Sequence, residues 1–165
     1  MTSTSDQPAT VPPWRGARGP GISQWVLVAC APFGPRLPGA AVADAIARGI
    51  ENAGGLQPDV CALPAPSDRA QDVQRVLDEL DFDARMLRAR AVVIGAARLE
   101  EQTLAGSVTI EIATRARQRG VPAYAVARED ALDSFDARVL DLQVILRARG
   151  RAGLVKAGLQ LAGLV

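Results

Sequence analysis

Short apolar runs and stretches of helical period take turns along this chain. Trp25-Val26-Leu27-Val28-Ala29 is apolar at every position and stops at a loop rich in Pro and Gly, Pro32 to Gly39, the pattern of a strand buried on both faces. Val42, Ile46 and Ile50 then recur every four residues among alanines until Gly54-Gly55, which predicts a helix ended by a glycine stop. Val60-Cys61-Ala62-Leu63, between Pro58 and Pro64, predicts a second strand, and Val73, Val76, Leu77 and Leu80 predict a helix over 68–80. Ala91-Val92-Val93-Ile94-Gly95 predicts a third strand, Leu104, Val108 and Ile112 a helix closed by Gly120, and residues 122–127 a fourth strand. Leu142 to Leu146 suits a fifth strand, and 153–165 a last helix with Leu154, Val155, Leu159 and Ala162 facing inward.

Strands that are apolar on both faces and alternate with helices imply an α/β fold: a parallel sheet of four or five strands with helices on both faces, a Rossmann-like lobe. Right-handed crossovers would gather the strand-to-helix loops at one sheet edge, where ligands bind in such folds. Three loops are then of interest, Cys30 to Gly39, Pro64 to Asp68 and Gly95 to Thr103. A length of 165 residues suits one domain over 24–165, and residues 1–23, rich in Ser, Thr, Pro, Gly and Arg, read as a disordered tail.

Composition narrows the function. The formal net charge is +1 and arginines alternate with acids, so there is no basic stripe for a nucleic-acid backbone or an anionic membrane surface. Aromatic residues are 4% of the chain, too few for base-stacking platforms. No signal-type apolar region and no run of about 18 apolar residues is present, so a cytoplasmic location is expected. Cys30 and Cys61 then read as buried, reduced thiols. With no His in the chain a Cys-His nucleophile pair is impossible, and no metal ligand set is expected.

The three loops carry a family resemblance. Gly95-Ala96-Ala97-Arg98-Leu99-Glu100-Glu101-Gln102-Thr103-Leu104-Ala105-Gly106-Ser107 is similar to the G-E-G-R-L-D-x-Q-T-x-x-G-K signature of the glycerate kinase family. Phe82-Asp83-Ala84-Arg85 echoes that family's F-D-x-R/K segment, and Arg119-Gly120-Val121-Pro122 its G-V-P turn. Val26 to Ile50 resembles its amino end, V-x-A-P-D-S-F-K-G-S-L-S followed by a V-A-x-A-I-x-x-G helix. The resemblance implies an ATP-dependent transfer of a phosphoryl group to glycerate, with ATP and Mg²⁺ as cofactors if ligand binding is retained.

Two departures bear on that activity. The family has a large second domain where this chain has only Gln71 to Arg90, so the chain looks like one lobe with no partner to close on. The loops have also lost charge: the Asp, Ser and Lys positions of D-S-F-K-G-S are Ala31, Pro32 and Gly34, and residues 66–72 keep neither acid of A-D-G-G-E-G-T in place. The signature Glu is Ala96, its Asp has become Glu100, and its Lys is Ser107. Phosphoryl transfer depends on positioning and electrostatics, so a catalytically impaired binding or interaction domain is the expectation. The alternatives are an active small phosphotransferase completed by a partner or by self-assembly, and a gene-decay fragment that would be poorly soluble.

The residues that would carry remaining chemistry are Arg98 and Glu100 as catalytic groups, with Gly95, Arg98, Gln102, Thr103, Gly106 and Arg36 as substrate or phosphate contacts. Each has a plainer reading. Arg98 could clamp an anion at a helix start or only pair with Glu100 or Glu101; Thr103 could bind phosphate or only cap a helix from Leu104; Gly106 could bind or only pack. Arg36 could replace the lost Lys or be an ordinary solvated Arg, and Ser67-Asp68 could be a remnant acid or an N-cap. The ligand expected is a small anion or a nucleotide; a homo-oligomer or a protein partner stays open.

Overall fold

The computed structural model describes residues 23–65, 70–100 and 107–165. Strand β1 (Trp25–Cys30) leads into helix α1 (Gly39–Ala53), then β2 (Gln57–Ala62), α2 (Ala70–Glu79) and α3 (Phe82–Arg88). After these come β3 (Ala91–Leu99), α4 (Val108–Arg119), β4 (Ala123–Asp130), α5 (Ser134–Val139), β5 (Leu142–Arg147) and α6 (Gly150–Ala162). The five strands form one sheet in the order β2-β1-β3-β4-β5, and every neighbouring pair is parallel. The expected α/β architecture is the one observed.

Alternation along the central strands explains the two helix layers. Val26, Val28 and Cys30 of β1 and Ala91 and Val93 of β3 face α1 and α6, where Ile46, Ile50, Leu154 and Leu161 meet them. Leu27, Ala29, Val92 and Ile94 point the other way, toward Leu77 of α2, Phe82 and Met86 of α3 and Ile112 of α4. Burying one such aliphatic side chain is worth about 1.5–3 kcal/mol.

Local chemistry sets the ends of the helices. Gly54 and Gly55 take positive φ after α1, and Gly120 ends α4 in the left-handed conformation, its N–H reaching the carbonyls of Ala116 and Arg117. Pro58 lies inside β2, which is tolerated because β2 is an edge strand.

Several boundaries differ from the sequence-based expectation. Strand β3 continues four residues past Gly95, to Leu99, and β4 continues to Asp130. Strand β2 starts at Gln57, not Val60, and α6 starts at Gly150, not Gly153. Leu159 is exposed rather than inward, Val155 and Ala162 are half-buried, and Ala157 and Gly158 take the inward places. Trp25 is also exposed, so β1 is fully buried only from Val26 onward. Phe82 to Arg88 forms a separate helix, entered through Asp81 at φ 54.

Candidate functional site

Because all strands run the same way, their C-terminal ends lie along one edge, as the crossover rule requires. Backbone bonds draw the loops there together: Ala31 N–H donates to Gly95 O at 2.9 Å, Leu63 N–H to Cys30 O at 2.8 Å, and Ala131 N–H to Leu99 O at 2.8 Å. Gly95 is the register partner of Cys30. A Cβ on Gly95 would lie 2.4 Å from Cys30 Sγ, so close packing by itself accounts for glycine at this position.

Arg98 does not stand at a helix start. It is the second-last residue of β3, in register with Glu129 of β4. Its Nε lies 2.6 Å from Glu100 Oε2 and its Nη1 3.5 Å from Glu129 Oε2, with the side chain about half exposed. Two carboxylates therefore already face the one guanidinium of the signature. The next described helix begins at Val108 and is capped by Ser107, whose hydroxyl accepts from Ile110 N–H at 3.3 Å. Gln102, Thr103, Leu104 and Gly106, and with them the expected cap at Thr103, lie outside the described residues, as does Ser67-Asp68.

Arg36 is exposed in the first loop, within a turn closed by Leu37 N–H to Gly34 O at 3.1 Å, and no ion pair links it to Arg98's carboxylates among the described residues. The cation that does reach this loop is Arg128 of β4, which the sequence reading passed over. Its Nη1 donates to Phe33 O at 2.8 Å, and a Cβ on Gly34 would lie 3.6 Å from that nitrogen. Gly34 is the position where the family pattern has Lys, so a guanidinium from another strand occupies that neighbourhood. Arg128, Glu129, Asp130, Arg147 and Arg149 wall an open cleft of about 400 Å³ beside it.

At the opposite end of the sheet the Phe82-Asp83-Ala84-Arg85 segment is structural. Phe82 is fully buried, and Arg85 grips Asp59 with Nε at 2.9 Å and Nη2 at 2.6 Å while also donating to Val60 O. Asp83 receives Arg115 at 3.1 Å and Arg119 at 3.4 Å. The hydrogen bond to Asp59 holds the Arg85 guanidinium's pKa above its ordinary value.

The thiols are unsuited to nucleophilic chemistry. Cys30 and Cys61 are free and buried, and burial pushes both thiols above their ordinary value. Among the described residues no three His, Cys, Asp or Glu groups come together to hold a metal. Among the described residues at the C-terminal edge, Glu100, Glu129 and Asp130 each have an arginine within 4 Å.

The model of the glycerate kinase family matches residues 36–148, well over half of the sequence. The chain belongs to the glycerate kinase family. A glycerate kinase of Neisseria meningitidis serogroup B (strain ATCC BAA-335 / MC58) is 33% identical over 79 residues, which are 48% of this chain and 21% of that protein. A Salmonella typhimurium LT2 structure assigned as glycerate kinase 2 is 16% identical with a TM-score of 0.43, matching 84% of this chain and 47% of its own. The chain thus spans under half the length of these two family relatives. A flavodoxin from the domain Archaea is 12% identical with a TM-score of 0.46, over 85% of this chain and 97% of its own. Among the described residues no helix is long and apolar enough to cross a membrane.

Proposed function

We propose that this chain is a binding lobe of the glycerate kinase family that holds a small phosphate-bearing anion or nucleotide at the C-terminal edge of its sheet and does not by itself transfer a phosphoryl group. The observation that carries the reading is Arg98: with Glu100 at 2.6 Å and Glu129 at 3.5 Å, its charge is neutralised locally and is not directed at a transferring phosphate. A transition-state arginine is worth about 10³ to 10⁵ in rate, and Arg98, paired in this way, does not supply it. Glu100, the expected catalytic acid or base, is held by the same contact. Gly95 and Arg36 remain part of the proposed edge, Gly95 through the close approach of β1 and β3 and Arg36 as an exposed cation on the first loop.

ATP with Mg²⁺, ADP, glycerate and phosphoglycerate are the ligands to test, by thermal shift on the purified chain. Saturation at about 100 times Kd should add about 2.7 kcal/mol to stability. Stabilisation by phosphate-bearing ligands, without glycerate-dependent turnover, is the expected pair of results; no shift with any of the four would remove the binding reading.

A further reading is a phosphotransferase completed by a second polypeptide or by self-association, favoured by the short segment 71–90 that stands where the family pattern has a large second domain. Turnover that appears only above a threshold protein concentration, or only on adding a polypeptide carrying the remaining family segments, would select it.

A further inference from the structure

We infer that the cleft beside the C-terminal ends of β4 and β5 is the seat of the phosphate group, with Arg128, Arg147 and Arg149 as its cationic wall. The inference rests on the proposed function for the class of molecule and adds which side chains hold it. Among the described residues, the five around this space of about 400 Å³ are charged, three of them arginines. That room accommodates a phosphate monoester of a small organic acid, or the terminal phosphates of a nucleotide.

The pairing pattern leaves guanidinium donors facing the cleft. Glu129 is shared between Arg98 at 3.5 Å and Arg128 at 3.9 Å, and Asp130 accepts from Leu132 N–H at 3.2 Å while lying 3.9 Å from Arg147. Those carboxylates are occupied by neighbours on several sides. Arg147 donates through one nitrogen to Asp130 O at 2.9 Å, and Arg128 through one nitrogen to Phe33 O at 2.8 Å, which fixes each head group with most of its five N–H donors still available. The Arg149 side chain makes no hydrogen bond or ion pair among the described residues. Guanidinium groups held in place by one backbone contact, with the rest of the fork open, suit bidentate recognition of phosphate.

Location agrees with chemistry. The cleft is at the edge where parallel α/β sheets take their ligands. Arg128 also ties the cleft's wall to the first loop through its hydrogen bond to Phe33 O. The start of α6, at Gly150, follows Arg149 directly and has no acid in its first turn to oppose an anion.

The test is calorimetric titration of the full chain with inorganic phosphate, phosphoglycerate and ATP, in the wild type and in Arg149→Gln, Arg147→Gln and Arg98→Ala. Arg149→Gln should weaken every phosphate-bearing ligand that binds by about tenfold or more, and Arg147→Gln should do the same. Arg98→Ala should leave affinity within a factor of about two. A tighter fit of phosphoglycerate than ATP identifies an organic phosphate, and the reverse identifies a nucleotide. Binding lost in Arg98→Ala and retained in Arg149→Gln would overturn this assignment and leave the proposed function standing; no binding by the wild type would overturn both. Arg149 is exposed and unpaired, so an unchanged melting temperature in its variant separates loss of contact from loss of fold.

Discussion

Where α1 crosses α6, backbone meets backbone. A Cβ on Gly49 would fall 2.1 Å from the Val155 carbonyl oxygen, and one on Gly158 would fall 2.0 Å from that of Ile46. Near the ends of β3, β4 and β5, charged side chains, among them Arg98, Arg128, Glu129, Asp130 and Arg147, stand at or beside an open cleft instead. At the first, a side chain on Gly49 or Gly158 has no room; at the second, charged groups face open space. Substitutions in the two regions should therefore separate cleanly, stability responding at the crossing and binding at the rim.

The largest effect is expected at the crossing. Gly158→Leu places atoms where backbone already lies and should cost about 3 kcal/mol or more, read from the urea midpoint at constant m-value. An unchanged midpoint would mean that α1 and α6 do not meet as described.

The buried thiols give a pH-dependent loss of similar kind. Cys30 and Cys61 have folded values raised above the ordinary thiol value near 9, so their contribution is fully present below pH 9 and is lost as pH rises further, when the unfolded chain ionises and the folded chain does not. Stability should fall by up to about 1.4 kcal/mol per pH unit per thiol above that point. Cys30→Ala should reduce this slope; an identical slope in the variant would contradict the burial of that thiol.

Gly95 sharpens the comparison, because it belongs to the signature yet packs like the crossing glycines. Gly95→Ala should cost about 1–3 kcal/mol through the clash with Cys30 while leaving phosphate affinity unchanged where the protein is folded. Weaker binding at unchanged stability would return Gly95 to the ligand. The smallest effect is expected for Arg98→Ala: its side chain is about half exposed and both its ion pairs reach solvent, so stability should change by about 0.5 kcal/mol or less in chemical denaturation.

The strands and the two-layer core were legible because Val26 to Cys30, Ala91 to Ile94 and the four-residue spacing of Val42, Ile46 and Ile50 follow the periods of the structures they form. Gly95 misled because a glycine after an apolar run reads as a strand end, whereas here it makes room for Cys30 and the strand runs on to Leu99. That placed Arg98 in a loop when it is in a strand, in register with Glu129. Family likeness drew the eye to Arg36 for the missing Lys, because it lies two positions away in sequence. Arg128 is distant in sequence, and only the parallel pairing of β3 with β4 and the hydrogen bond to Phe33 bring it to the loop. Nothing in residues 147–149 matches a motif, so Arg147 and Arg149 had no signal beyond their charge.

We propose that this member of the glycerate kinase family binds at its sheet edge without performing the transfer alone. Coupled ATP turnover with the purified chain, Mg²⁺ and glycerate tests it most directly. Losing a single transition-state cation should bring a typical kcat of about 10 s⁻¹ to about 10⁻² s⁻¹ or below, and glycerate-dependent turnover at or under that level is the predicted result. Turnover near one per second that Glu100→Gln removes would contradict it, and would show that the Arg98–Glu100 pair opens to do chemistry.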